Sequence, residues 1–350
     1  MKERNIDYHI SKRDTLSLKG VAICALLIHH LFIDESAYGV FPQYLAIVGK
    51  ICVAIFVFVS AYGLTIQLKK YSDGKLRVPH FCRLLIKRYL KFYFNYWFVF
   101  IISVVLGVYL FGRTLGEAYG DSSNIFVRFI VDFWGCGEFW SYNITWWFNR
   151  VILALWLLFP LLYWLMSCRV ASLFALLLFF LNPGDILYPL NFIAACLPFY
   201  VLPFSMGLWL AIHETGVNLF LQKINPGVLL GLSIAVLGLC FFARINDLLV
   251  WYTIDAVATL FLALLVVLCN NWFPKQPVLA FLGKHSMNIY LLHTFIFGYF
   301  FHDFVYGFNN AFASFIILLS ISLLLSMLIE YLKNKLKFYQ LLERICKCVS

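Results

Sequence analysis

The sequence predicts an all-α protein, a polytopic bundle of about ten transmembrane helices with both termini cytoplasmic. Three observations carry this. The 350 residues are 63% hydrophobic and only 13% charged, against about half apolar and a quarter charged in a soluble domain. Ten apolar runs recur along the chain, most of them close to the length a helix needs to cross a bilayer. In a ten-span topology, all of the 27 Lys and Arg except Lys50, Arg113, Arg128, Arg150 and Arg244 fall on one side, which that bias makes cytoplasmic. A soluble globular protein is excluded, because a core of this length cannot hide so much apolar surface. A disordered or collagen-like chain is excluded with it.

Residues 1–17 are polar and basic and read as a cytoplasmic tail. The run at 18–34 lacks a small-residue cleavage site, so it is a retained helix and not a signal peptide. Runs at 44–67 and 89–111 follow, separated by a basic segment. The longest non-cytoplasmic segment is 112–143, with Glu117, Asp121, Asp132 and Glu138 among Trp134, Phe139, Trp140 and Tyr142. It reads as an interfacial loop anchored by its aromatic residues, with a fold-back lid as the alternative. The next run is 144–166. The short run 169–182 ends at Asn182-Pro183-Gly184-Asp185, and 190–212 contains Pro198 and Pro203, which should bend it. Runs at 227–243, 249–270, 284–302 and 310–332 complete the set, before a cytoplasmic tail at 333–350. Helices are the expected spanning form, since backbone groups in lipid must be bonded internally. There is no internal repeat, and 1–350 reads as a single domain.

The net charge of +10 is topological and does not imply nucleic acid as a partner. The 10 Cys form no Cys-x-x-Cys pair and no zinc-ligand spacing, so no metal site is predicted. Cys24, Cys52, Cys196, Cys240 and Cys269 lie in apolar runs, as small buried hydrophobes do.

Charges at membrane depth are costly and are either paired or functional. Lys19 and His30 are eleven residues apart on the first span, so they share a helix face about 16 Å apart. His is the side chain best suited to take a proton near neutral pH. His29 points about 100° away and suits packing. Arg150 and Asp255 both sit a turn or two inside the outer starts of their helices, at a depth that allows a buried ion pair or an outer pocket. Arg83, Lys87, Arg88 and Lys91 cluster at the start of the third span. They anchor topology and also suit a phosphate-rich ligand. No Gly-rich phosphate loop occurs. Tyr290 and His293 lie one turn apart on the ninth span, where a polar stripe would join it to its neighbours.

These features resemble the integral-membrane acyltransferase family 3. Lys19-Gly20 through His29-His30 match the family's Arg or Lys, ten residues, then His. Ile55 to Gly63 is similar to its Phe-rich second helix, with Ala61 where Gly is usual. Arg88-Tyr89-Leu90-Lys91 resembles its Arg-x-x-Arg motif, with Lys second. Trp146-Trp147-Phe148, in a helix that ends at Pro160, and Leu282-Gly283-Lys284 through Ser286, Tyr290 and His293 resemble its middle and closing motifs.

The resemblance implies transfer of an acyl group, most often acetyl, in a multi-pass protein of the cell membrane, a bacterial plasma membrane being expected. The donor would be cytoplasmic acyl-CoA, a co-substrate and not a tightly bound cofactor. The acceptor would be a hydroxyl of a surface or lipid-linked saccharide, or of a similar molecule. His30 takes the role of the essential His and Lys19 that of its paired cation. Arg88 and Lys91, with Arg83 and Lys87 beside them, take the donor-side role. Arg150 would orient the acceptor or stabilise the oxyanion, and Ser60 is the nucleophile candidate for a covalent route. A transporter or flippase, which often shows two similar halves, and a non-catalytic member of the family are the competing readings.

Overall fold

The computed structural model describes residues 6–72, 78–120, 124–181, 187–273 and 277–348, and no strand occurs among them. Asp121, Lys275 and the turn at 182–185 lie outside the described residues. Each of the ten apolar runs is helical over most of its described length. Seven helical stretches among the described residues are long and apolar enough to cross a membrane: Lys12–Phe32, Val40–Tyr71, Val78–Phe111, Ile144–Ser167, Pro226–Ile245, Trp251–Trp272 and Ala311–Lys335. Arg169–Leu181 and Leu197–Ile212 are shorter apolar helices.

The residues sort into two compact units. The first comprises Met1–Lys75, Leu158–Leu190 and Pro198–Ser286. Here α1 (Lys12–Phe32) is followed by α2 (Val40–Gly49) and α3 (Cys52–Ser72). The single run expected at 44–67 is therefore two helices, broken at Lys50 and Ile51. Residues 6–11, just before α1, do not form a free tail. Tyr8 donates its N–H to Asn218 Oδ1 at 2.9 Å, and Ile6 and Tyr8 are buried against Leu229, Val267 and Leu268.

The second unit comprises Leu76–Leu157, Asn191–Leu197 and Met287–Ser350. Its α4 (Val78–Phe111) starts eleven residues before the expected position. Pro79 suits a first helical turn, where its missing N–H has no bond to lose, and the basic turns after it extend the helix into the predicted loop. All four cations of the cluster thus lie within α4.

The segment 112–143 contains α5 (Leu115–Tyr119) and α6 (Ile125–Phe133). It folds back along α4. Tyr96 donates its hydroxyl to Asp132 O at 2.7 Å, Trp97 donates Nε1–H to Phe133 O at 2.8 Å, and the Trp97 and Phe133 rings stack at 5.2 Å. From Phe111 back to Trp97 is about 21 Å of helix. The fold-back reading thus describes this segment better than a loop held at the interface.

In chain order, α7 (Trp147–Ser167), α8 (Arg169–Leu181), α9 (Leu197–Ile212), α10 (Glu214–Leu221), α11 (Pro226–Ile245), α12 (Trp251–Trp272) and α13 (Val278–Thr294) follow. Pro198 stands at the second residue of α9, where it starts the helix instead of bending it, and Pro203 lies inside. Past α13 a π-helical turn covers Phe295–Phe300, then α14 (His302–Tyr306), α15 (Ala311–Lys335) and α16 (Phe338–Cys348). The expected tail at 333–350 is therefore helical at 338–348. Phe338 packs its ring 6.0 Å from Phe94 and 5.6 Å from Phe98 of α4.

Candidate active site

The start of α1 is fixed at both its backbone and its side chains. Ser11 N–H donates to Asp14 Oδ2 at 2.8 Å, and Asp14 N–H donates to Ser11 Oγ at 3.2 Å, a capping box. Asp14 Oδ1 also accepts from Asn270 Nδ2 at 2.7 Å, tying α1 to the end of α12. Further along, α1 crosses α13 at two glycines. A Cβ on Gly20 would stand 2.0 Å from Leu279 O, and one on Gly283 1.8 Å from Leu16 O. Only glycine lets the two backbones approach this closely. Lys19-Gly20 and Leu282-Gly283-Lys284 lie far apart in sequence, yet they meet here.

Lys19 and His30 are both half-buried. His29 donates Nδ1–H to Ala46 O at 2.8 Å, and its ring lies edge-on to that of His30, 5.0 Å between centroids. Gly49, the last residue of α2, is seated against α1: a Cβ there would lie 2.5 Å from Ala25 O. His29 therefore fastens α2 to α1 and flanks His30. On α3, Ser60 is buried close to Phe58, whose carbonyl stands 2.3 Å from where a Cβ on Gly207 of α9 would be.

In the same unit, Asp255 near the start of α12 is 3% exposed and pairs with Arg244 in the last turn of α11, Nε to Oδ1 3.6 Å. Arg150 has other partners within the second unit. It pairs with Glu138 through Nη1, and its Nε–H donates to Ile193 O at 2.6 Å. The Arg150–Asp255 pair that the sequence allowed is thus replaced by Arg244–Asp255 and Glu138–Arg150. Arg244 and Asp255 flank a short connection between adjacent spans, and that spacing was the signal for their meeting.

The second unit carries the cations of α4. Arg88 lies over the Trp156 ring, 4.7 Å from its centroid, and Tyr89 donates its hydroxyl to Leu153 O at 2.8 Å. Trp156 is midway along the apolar stretch Ile144–Ser167, so Arg88 faces the middle of that stretch and not its end. Lys87 is half-buried, while Arg83 and Lys91 are exposed. The polar stripe of the later half of α13 faces the helical turn Ile144–Trp146 that leads into α7. Tyr290 donates its hydroxyl to Thr145 O at 2.9 Å, Trp146 donates Nε1–H to Leu291 O at 3.1 Å, and His293 donates Nδ1–H to Tyr290 O at 2.7 Å. The middle motif and the end of the closing motif are thereby joined.

Two further polar centres of this unit are not foreseen from the sequence. Asp132 is 1% exposed. Its Oδ2 accepts from Tyr119 hydroxyl at 2.9 Å and from Tyr142 N–H at 2.7 Å. Burial pushes this carboxyl up to about 6, although Tyr142 N–H and the Tyr119, Ser141 and Tyr96 hydroxyls oppose the shift. Lys333 is fully buried. It donates to Glu330 Oε1 at 2.7 Å, to Asn288 Oδ1 at 3.3 Å and to Asn95 Oδ1, while Tyr339 of α16 donates to Glu330.

A family model described as an acyltransferase domain matches residues 17–331. No curated protein and no solved structure matches the chain. The matched stretch runs from within α1 to within α15 and takes in every motif described above. The chain therefore belongs to acyltransferase family 3, and it is a multi-pass membrane acyltransferase.

Proposed function

We propose that the protein moves an acyl group, acetyl foremost, from cytoplasmic acyl-CoA to a hydroxyl of a surface or lipid-linked saccharide. The proposal includes ten spans, α8, α9 and α13 among them, with both termini cytoplasmic and the bacterial plasma membrane as location. The observation that carries it is the Gly20–Gly283 crossing, which fixes the helix bearing Lys19 and His30 by means of the closing motif.

His30 takes the proton from the acceptor hydroxyl as that oxygen attacks the thioester carbonyl. The carbon–oxygen bond forms, the carbon–sulfur bond breaks, and the departing CoA thiolate receives the proton. Lys19 supplies positive charge on the same face of α1. Arg88, Lys91, Arg83 and Lys87 hold the phosphates of CoA. Arg150, held by Glu138, orients the acceptor.

Membranes containing the protein are incubated with acetyl-CoA labelled in the acetyl group. Label should pass to glycan or glycolipid, and His30→Ala should lower the rate by about a hundredfold or more with the protein still folded. Retained turnover in His30→Ala refutes the assignment. Solute uptake into vesicles without CoA release indicates a transporter, and absence of both acetyl-CoA binding and turnover indicates a non-catalytic member.

A further inference from the structure

At the Arg244–Asp255 pair, burial and hydrogen bonding are out of step. The two side chains are 10% and 5% exposed, and 3.6 Å from Nε to Oδ1 is attraction without a hydrogen bond. Arg244 Nε and Asp255 Oδ2 are both buried and have no hydrogen-bond partner among the described residues. A buried polar atom left in this way is destabilising unless something satisfies it. The guanidinium is held by an aromatic face, its carbon 5.3 Å from the Trp251 ring centroid, and Lys50 Nζ is 4.3 Å from the same centroid.

One orphan donor beside one orphan acceptor selects its ligand. A group that accepts from Nε–H and donates to Oδ2 satisfies both, and a hydroxyl does this. A carboxylate or phosphate would satisfy Arg244 and repel Asp255, and an ammonium would do the reverse. Next to the pair, the Phe199 and Tyr252 rings stack at 5.0 Å, each 5.3 Å from Trp251. This aromatic shelf suits the apolar face of a sugar ring. The place in the unit fits as well. Lys50 follows Gly49, Gly49 is seated against α1 beside His29, and the His29 ring meets that of His30.

We propose that Arg244 and Asp255, beside Trp251, form a subsite that holds a hydroxyl of a polyhydroxylated acceptor, a saccharide ring. The proposal rests on the reading of His30 as the base that activates the acceptor, and binding tests it apart from turnover.

The full-length protein in nanodiscs is titrated with the methyl β-glycosides of glucose, galactose and N-acetylglucosamine, with tryptophan fluorescence as readout. At least one sugar should give a saturable change in the wild type and in His30→Ala. Trp251→Phe should remove the change, and Asp255→Asn should abolish binding. Arg244→Lys keeps the charge but lacks the Nε–H, and should weaken binding about tenfold. No saturable response to any of the three sugars overturns the proposal, as does a response that survives Asp255→Asn.

Where transfer to the bound glycoside occurs, Asp255→Asn should raise the acceptor KM until the rate no longer saturates with glycoside, with the KM for acetyl-CoA within about twofold. A loss confined to kcat or to folded yield, with the acceptor KM unchanged, marks the pair as structural and also overturns the proposal. Sugar binding without transfer leaves the subsite standing and refutes the catalytic reading instead.

Discussion

Asp132 shows how a single carboxyl sets the behaviour of a segment. Its folded value is pushed up to about 6 from an ordinary 3.8, so the folded segment binds the proton more tightly than the unfolded one. The stabilisation from protonation is complete below about pH 4 and is lost as pH rises through about 6. The groups facing it are the hydroxyls of Tyr96, Tyr119 and Ser141 and the N–H of Tyr142, none of which titrates in that window. Hydrogen exchange across 112–143, corrected for the intrinsic rate, should therefore slow as pH falls from 7 to 5. Asp132→Asn should remove that dependence. At Lys91 the family motif has Arg in place of Lys. Arg forks onto phosphate with two parallel bonds where Lys offers a point charge. Lys91→Arg should lower the KM for acetyl-CoA severalfold, measured as initial rate against donor concentration. An unchanged KM would remove Lys91 from the donor site.

Among the helices, the α1–α13 crossing depends on two missing methyl groups. Gly20→Ala and Gly283→Ala each force a Cβ against a backbone carbonyl and should cost about 1–3 kcal/mol or more. Gly63→Ala on α3 meets nothing within 4 Å and should be neutral or slightly stabilising. Thermal midpoints of the three variants in one detergent separate the cases. The helices themselves were legible in the sequence, because apolar length alone decides them in a bilayer. The Lys19 and His30 face was legible too, since it follows from helical spacing. The break at Lys50 was not, because the apolar run continues through it. Nor was the start of α4, where basic residues that read as a loop continue the helix. Ion-pair partners were the least legible. Asp255 is buried and paired, but its position along the helix alone did not choose between Arg150 and Arg244.

At the scale of the whole chain, the proposal of ten spans makes a sidedness prediction. A fluorescent reporter that folds only in the cytoplasm should light at either terminus and stay dark when inserted near residue 120. A dark C-terminal fusion would require an odd number of spans. Within the second unit, the end of the chain is fastened by Lys333, whose partners come from α4, α13 and α15. Lys333→Met should cost up to about 3 kcal/mol, since it leaves Glu330 without its cation. Release of α16 should follow, seen as faster proteolysis at Arg344.

The glycine crossing also has a meaning in time. Gly20 and Gly283 are roughly 260 residues apart in sequence. At about 5–20 residues per second, the ribosome delivers Gly283 roughly a quarter of a minute to a minute after Gly20 has emerged. For that interval the helix carrying Lys19 and His30 stands in the bilayer without the neighbour that fixes it. Catalytic competence is therefore acquired late in synthesis, and a chain arrested before α13 should insert into the membrane yet remain inert.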